Sequence, residues 1–428
     1  MNQLSPLTGT ETRSLQVHSL FRYPAKFHSP VARNLVTRFC PVGGTVYDPF
    51  CGSGTVLVEA QAMGRAALGS DIDPVAVAVA SAKLGRHELD AAERVALQLC
   101  DAIRARRFPR DYRELMFSDL TSARYEQQLG QLGIQPPPIP NRDHWFRRYV
   151  MIDLLLIQSS VRTIPRELRS PFVVALLSCI RHCSNADPVP VSGVEYTSHM
   201  RRLDEKGRLI DPVGYFLKRL RKVLDALREF EGLRLTDRGR VFQADARRAG
   251  CSTAVGAVDC IITSPPYSGA VDYYRRNGLE SYWLDEDLTP NGRQKTREAY
   301  IGGPSASTRS ARAVPAGASL AAHWAWRFDS DRTAGRAAAF RQYLLDMHDV
   351  FEALASLISR KKPVVVAIGE SSFDGARVPV PDILIELAST KFHLTDRMQY
   401  PIKNRYMSYA RHNGADINTD HILVMERT

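Results

Sequence analysis

The sequence predicts an α/β fold: a mostly parallel sheet with helices on both faces, interrupted by a largely helical insertion. Three observations carry this. Short apolar runs at 45–50, 66–71, 239–243, 257–263 and 363–369 alternate with helical stretches, as βα units do. Two of those runs end in turns rich in glycine or proline, and open α/β sheets bind ligands at the carboxyl ends of their strands. Between about 88 and 235 the alternation stops and the text reads helical.

The elements follow in order. Residues 1–17 are polar and read as a flexible terminus. A helix over 28–40 precedes the strand at 45–50, a glycine turn, a helix over Val56–Met63, a strand at 66–71 and a helix over 74–84. The insertion holds helices over Ala91–Arg107, Phe146–Arg162, Ser170–Arg181 and Val213–Phe230, with Gln135–Pro140 as a linker or rigid turn. Its stretch from Asn185 to Arg208 is irregular and ends basic, in Arg201-Arg202 and Lys206-Gly207-Arg208. The sheet resumes at 239–243, 257–263 and 363–369, a helix follows over 380–390, and Phe392–Tyr400 with His421–Glu426 read as a closing antiparallel hairpin on a long connection. This gives a catalytic domain from 18–87, 236–284 and 341–428. Two regions remain to read a target: the insertion 88–235, and 285–340, where Gly302-Gly303, Arg309, Arg312, His323, Trp324, Trp326 and Arg327 interleave aromatics with arginine.

The run Val258-Asp259-Cys260-Ile261-Ile262 leads into Thr263-Ser264-Pro265-Pro266-Tyr267. Consecutive prolines fix φ and remove two backbone donors, which leaves neighbouring carbonyls as free acceptors on a rigid turn. The Ser264 hydroxyl accepts as well, and Tyr267 offers a flat face for an extruded base. Acceptors around an –NH₂ group, with a ring above the base, are what methylation of a nucleobase amine needs.

Upstream, Asp48-Pro49-Phe50-Cys51-Gly52-Ser53-Gly54-Thr55 reads as a strand end, a glycine turn and a helix start. The glycines let the backbone approach a ligand, and a helix N-terminus favours a carboxylate or phosphate. The next strand ends in Asp71-Ile72-Asp73, acids suited to ribose hydroxyls, with Asp71 favoured by its place at the strand end. The turn is neither G-x-G-x-x-G nor a P-loop.

These segments resemble the amino-group DNA methyltransferases. The Asp48–Thr55 turn is similar to their S-adenosylmethionine motif and Ser264-Pro265-Pro266-Tyr267 to their catalytic motif, in the form typical of N4-cytosine enzymes. His18–His28 resembles the N-terminal segment beside the methionine end of the cofactor, and Val241–Asp245 the third strand, whose Asp faces the adenine amino group. Asp272-Tyr273-Tyr274 through Leu279–Leu284 resembles the segment after the catalytic motif. The cofactor motif comes first here, whereas many N4-cytosine enzymes have the reverse order. The resemblance implies a Rossmann-like class I S-adenosylmethionine-dependent sheet. It implies methyl transfer to cytosine N4 of double-stranded DNA by direct displacement on a flipped base, in a bacterial or archaeal cytoplasm. It also implies a cognate restriction endonuclease where the enzyme serves a restriction-modification system. N6-adenine methylation, RNA base methylation and an inactive DNA-binding specificity subunit are the alternatives. Catalysis falls to Ser264, Pro265, Pro266 and Tyr267. The cofactor falls to Asp48, Phe50, Gly52, Gly54 and Thr55 at its methionine end, Lys26 at its carboxylate, Asp71 or Asp73 at its ribose and Asp245 at its adenine.

Composition agrees. The 428 residues are 44% hydrophobic, enough for a large core, and carry a net charge of +11, which suits a polyanionic partner. Seven cysteines point to a reducing compartment, and Cys179-Ile180-Arg181-His182-Cys183 lacks zinc-finger spacing. Met1–Val17 lacks the apolar stretch of a secretory signal, and no apolar run approaches the roughly 18 residues of a membrane span. No Pro-Cys dipeptide occurs, so the cysteine nucleophile of C5-cytosine methylation is not indicated.

Overall fold

The computed structural model describes residues 2–3, 14–23, 26–188, 194–251, 258–268, 272–284, 289–302, 314–315, 317–327, 334–373, 376–401 and 419–428. Seven strands form the main sheet: β1 (Thr45–Asp48), β2 (Ala66–Asp71), β3 (Gly239–Gln243), β4 (Cys260–Thr263), β5 (Pro363–Gly369), β6 (Phe392–Pro401) and β7 (Thr419–Arg427). Their order is β3-β2-β1-β4-β5-β7-β6, and Asn2–Gln3 adds a short parallel pairing outside β6. β1 to β5 run parallel, and β7 is antiparallel to both neighbours. The order reverses between β1 and β4, which makes the switch point a crevice. This is a Rossmann-like α/β sheet.

The strands form where the sequence is continuously apolar. All four residues of β4 are buried, as are Val364–Gly369 of β5, because helices cover both faces. Alternation divides β5 between two cores. Val364, Val366 and Ile368 pack with Tyr47, Ile261 and the helices α8 (Ala334–Leu357) and α9 (Val380–Ala388) on one face. Val365 and Ala367 pack with Val46, Cys260, Ile262 and the helices α1 (Ser29–Phe39) and α2 (Thr55–Ala62) on the other. α3 (Pro74–Leu84) follows β2.

The insertion contributes α4 (Leu89–Arg106), α5 (Arg148–Arg162), α6 (Ser170–Cys183) and α7 (Pro212–Leu233), with shorter helices between them. These share a third core with Val75, Ala76 and Val79 of α3, with Val17, Leu20 and Phe21 near the start of the chain, and with Leu279, Tyr282 and Trp283 beyond the catalytic motif. Gln158 donates to the carbonyl of Trp283 at 3.2 Å and Arg181 pairs with Glu280 at 3.2 Å.

Of the segment expected to be flexible, residues 2–3 and 14–17 are described. Asn2–Gln3 pairs with Met398–Gln399, and Val17, fully buried, anchors a 3₁₀ turn over Gln16–Ser19 against α7. Residues 4–13 lie outside the described residues, as does the connection 402–418. Among the described residues no helix is long and apolar enough to cross a membrane.

Candidate active site

β1 ends in a turn that the sequence shapes by its glycines. Gly52 has φ +50°, a left-handed value that a side chain strains, and a Cβ there would sit 3.0 Å from Cε1 of Tyr23. Its amide donates to Asp71 Oδ2 at 2.8 Å, so the last residue of β2 braces the turn. Gly54, at φ +80°, caps α2, and a Cβ there would meet that of Ala80 at 3.0 Å. Gly54 therefore serves the packing of α2 on α3 and does not line the cleft, contrary to expectation. Lys83 of α3, buried, donates to the Ser53 carbonyl from below at 2.7 Å. Burial holds its ammonium well below its ordinary value. The Ser53 hydroxyl is buried without a partner.

Three carboxylates crowd this floor. Asp48 accepts from the Thr263 hydroxyl at 2.6 Å and from the Phe50 amide at 3.0 Å, which ties the end of β1 to the end of β4. Asp71 accepts from the amides of Gly52 and Asp73. Burial pushes Asp48 and Asp71 up to about 7. Asp73, expected as an alternative ribose ligand, is placed elsewhere. It caps α3 through Val75 at 2.9 Å, takes Asn277 at 2.5 Å and Tyr23 at 3.3 Å, and is 1% exposed behind the cleft. Burial pushes it up to about 6.

β4 delivers Ser264 and Pro266 to the same cleft, and Pro265 is buried. Among the described residues nothing bonds the Ser264 hydroxyl or donates to the carbonyls of Ser264, Pro265 and Pro266. Of the three, Ser264 and Pro266 line the cleft and Pro265 does not. Tyr267 does not line the cleft: it is half-buried, packed against the core that holds Tyr47, and its hydroxyl donates to Asp420.

The cleft joins these parts in about 810 Å³, counting its open mouth. Asp48, Phe50, Gly52, Thr55, Asp71, Asp245, Lys26 and Ser264 all line it. Lys26 donates to the His18 carbonyl at 2.6 Å, and burial lowers its ammonium. Asp245 is clasped by Arg247, whose other arm reaches Asp346 of α8 at 2.8 Å. Sequence reasoning missed the aromatic walls, Tyr23, Tyr273 and Tyr300. Tyr23 and Tyr273 sat inside segments already singled out, but Tyr300 falls in the region assigned to target reading, and nothing in its spacing marks it.

That region is split in the structure. The helix Ser319–Arg327 buries Ala321 and Ala325 and is capped by Glu386, which takes the amides of Leu320 and Ala321. Trp324 is half-buried under Arg327, while Trp326 is 76% exposed. Gly303, Arg309 and Arg312 lie outside the described residues.

Comparison with known proteins points one way. Residues 3–82 match the family described as DNA methylase. The chain is 27% identical over 299 residues to the Type II methyltransferase M.MvaI of Kocuria varians, covering 66% of this chain and 61% of that protein. It is 31% identical over 93 residues to the Type II methyltransferase M.MjaII of Methanocaldococcus jannaschii, 22% of this chain and 18% of that one. To the Type II methyltransferase M.BsoBI of Geobacillus stearothermophilus it is 23% identical over 301 residues, 64% of this chain and 54% of that protein. The chain thus spans less than two thirds of the length of these relatives.

Proposed function

We propose that this chain, which belongs to the amino-group DNA methyltransferase family, methylates the exocyclic N4 amine of cytosine in double-stranded DNA, within a Type II restriction-modification system. One observation carries the chemistry. Ser264 and Pro266, which accept no hydrogen bond among the described residues, share a cleft with the glycine turn, and the Thr263–Asp48 bond of 2.6 Å locks the two together.

The cleft residues fit S-adenosylmethionine. Gly52 leaves backbone open to a ligand, the Ser53 hydroxyl lacks a partner, and Asp48 and Asp71 offer negative charge to a cation. Asp71 would hold the ribose, Lys26 the carboxylate and Asp245 the adenine edge. When bound, the cofactor would supply a methyl group on a sulfonium: the amine nitrogen takes it as the S–CH₃ bond breaks, leaving a neutral thioether, and the surplus proton on nitrogen passes to water. The chain does the rest. A base amine is a poor nucleophile because its lone pair is delocalised into the ring. Hydrogen bonds from its N–H groups to the Ser264 hydroxyl and to a carbonyl of the Pro-Pro turn draw that lone pair out and fix its direction. Tyr267 stacks on the extruded base. The net charge of +11 holds the DNA backbone.

The test is chemical. Unmodified plasmid is incubated with labelled S-adenosylmethionine, then digested to nucleosides. N4-methylcytosine is expected. N6-methyladenine would move the reading to adenine, and label in RNA alone would overturn it. Ser264→Ala should lose on the order of 10²-fold in kcat while binding cofactor within about twofold of wild type; collapse of cofactor binding would refute the role given to Ser264.

A further inference from the structure

Tyr267 is held from behind by two strands at the far end of the chain. Its hydroxyl donates to Asp420 Oδ1 at 2.7 Å, and the hydroxyl of Tyr400 donates to Oδ2 of the same carboxylate at 2.7 Å. Asp420 is the second residue of β7 and is 9% exposed. In the sheet it pairs with Tyr400 of β6 on one side and Gly369 of β5 on the other. The direction of β7 explains the meeting. As the strand antiparallel to β5, it brings its first residues, and not its last, to the carboxyl ends of the parallel strands. A residue 153 positions away from the catalytic loop therefore arrives beside it.

The geometry points to Asp420 as the positioning residue for the aromatic ring of the catalytic loop, with Tyr400 fixing the carboxylate in turn. The assignment rests on the function proposed above. A tyrosine ring turns about its Cβ–Cγ bond and swings with its backbone. Anchoring the phenol oxygen removes the swing. A carboxylate with one phenol on each oxygen cannot rotate away, because either turn would break a charge-assisted hydrogen bond, stronger than a neutral one. Among the described residues no other ring stacks on Tyr267, which packs against the core that holds Tyr47. Holding a stacking ring in place before the base arrives is preorganisation, and a misplacement of about 1 Å costs on the order of 10²-fold in rate.

A double-mutant cycle on the full chain tests this. Tyr267→Phe and Asp420→Asn are each expected to lower kcat by about tenfold while cofactor affinity stays within about twofold. The double variant should be no slower than the slower single one, because the second change removes nothing that remains. Multiplying losses, or an Asp420→Asn enzyme with full kcat, would overturn the assignment. A second measurement needs no turnover: 3-fluorotyrosine at position 267, read by ¹⁹F NMR, should shift in Asp420→Asn. An unmoved resonance rejects the tether. A shifted resonance in a chain that methylates no DNA keeps the tether and rejects the function.

Discussion

Asp48, Asp71 and Asp73 are protonated more readily in the folded chain than in an unfolded one, whose carboxyls titrate near 4. Burial pushes them up to about 7, 7 and 6, and being neighbours they titrate as a set. The sign follows. Their contribution to stability is full below about pH 4 and is lost as pH rises through 6 and 7, where charge is forced into a buried floor. Asp71→Asn, which cannot ionise, should therefore gain on wild type by about 1–3 kcal/mol as pH rises from 5 to 8, read by denaturant unfolding at each pH. A cationic ligand reverses the sign. S-adenosylmethionine should bind more tightly as pH rises through 6 to 7 and should release protons, which calorimetry in buffers of different ionisation enthalpy detects. Much of this scale was legible: Asp48, Asp71, Asp245 and Ser264 converge on the cleft. Asp420 was not, since a lone aspartate at the start of an apolar strand acquires meaning only from the strand's direction.

At the scale of elements, the glycine turn does two jobs with two residues. Gly52 opens backbone to the cleft, and Gly54 lets α2 lie on α3. Gly54→Ala adds a left-handed strain and a Cβ 3.0 Å from that of Ala80. It should cost about 1–3 kcal/mol of stability, measured by denaturation, and weaken cofactor binding as α2 shifts. Most elements matched expectation to within a few residues because their periodicity was strong. α8 is an element that the expected order lacks, although Phe340, Tyr343, Leu344, Met347, Phe351 and Leu354 carry helical spacing and are buried. The arginines and tryptophans just before it mask the apolar stripe in the sequence.

The whole molecule is bound together through its insertion. The helices of 88–235 share a core with α3, with Val17–Phe21 and with Leu279–Trp283. The insertion and the sheet should therefore unfold together, with amides of α5 and β1 losing hydrogen-exchange protection at the same denaturant concentration. Trp283→Ala, at the seam, should cost about 3–5 kcal/mol. Sequence alone set the insertion apart because its helical text breaks the βα rhythm, and shared burial is a property of contacts that rhythm does not encode. The sheet itself was legible, since its strands read as apolar runs and its ligand ends as turns.

The hydrogen bond between Thr263 and Asp48 has a consequence for descent. It joins the methyl-donor motif to the acceptor motif across 215 positions. A lineage that alters Asp48 leaves the Thr263 hydroxyl buried and unsatisfied, and one that alters Thr263 leaves the buried Asp48 carboxylate with the Phe50 amide alone, a step costing about 1–3 kcal/mol. Inheritance should therefore treat the two as one unit: among descendants of this chain, positions 48 and 263 should change together or not at all, and a swap of one motif between relatives should succeed only when the other travels with it.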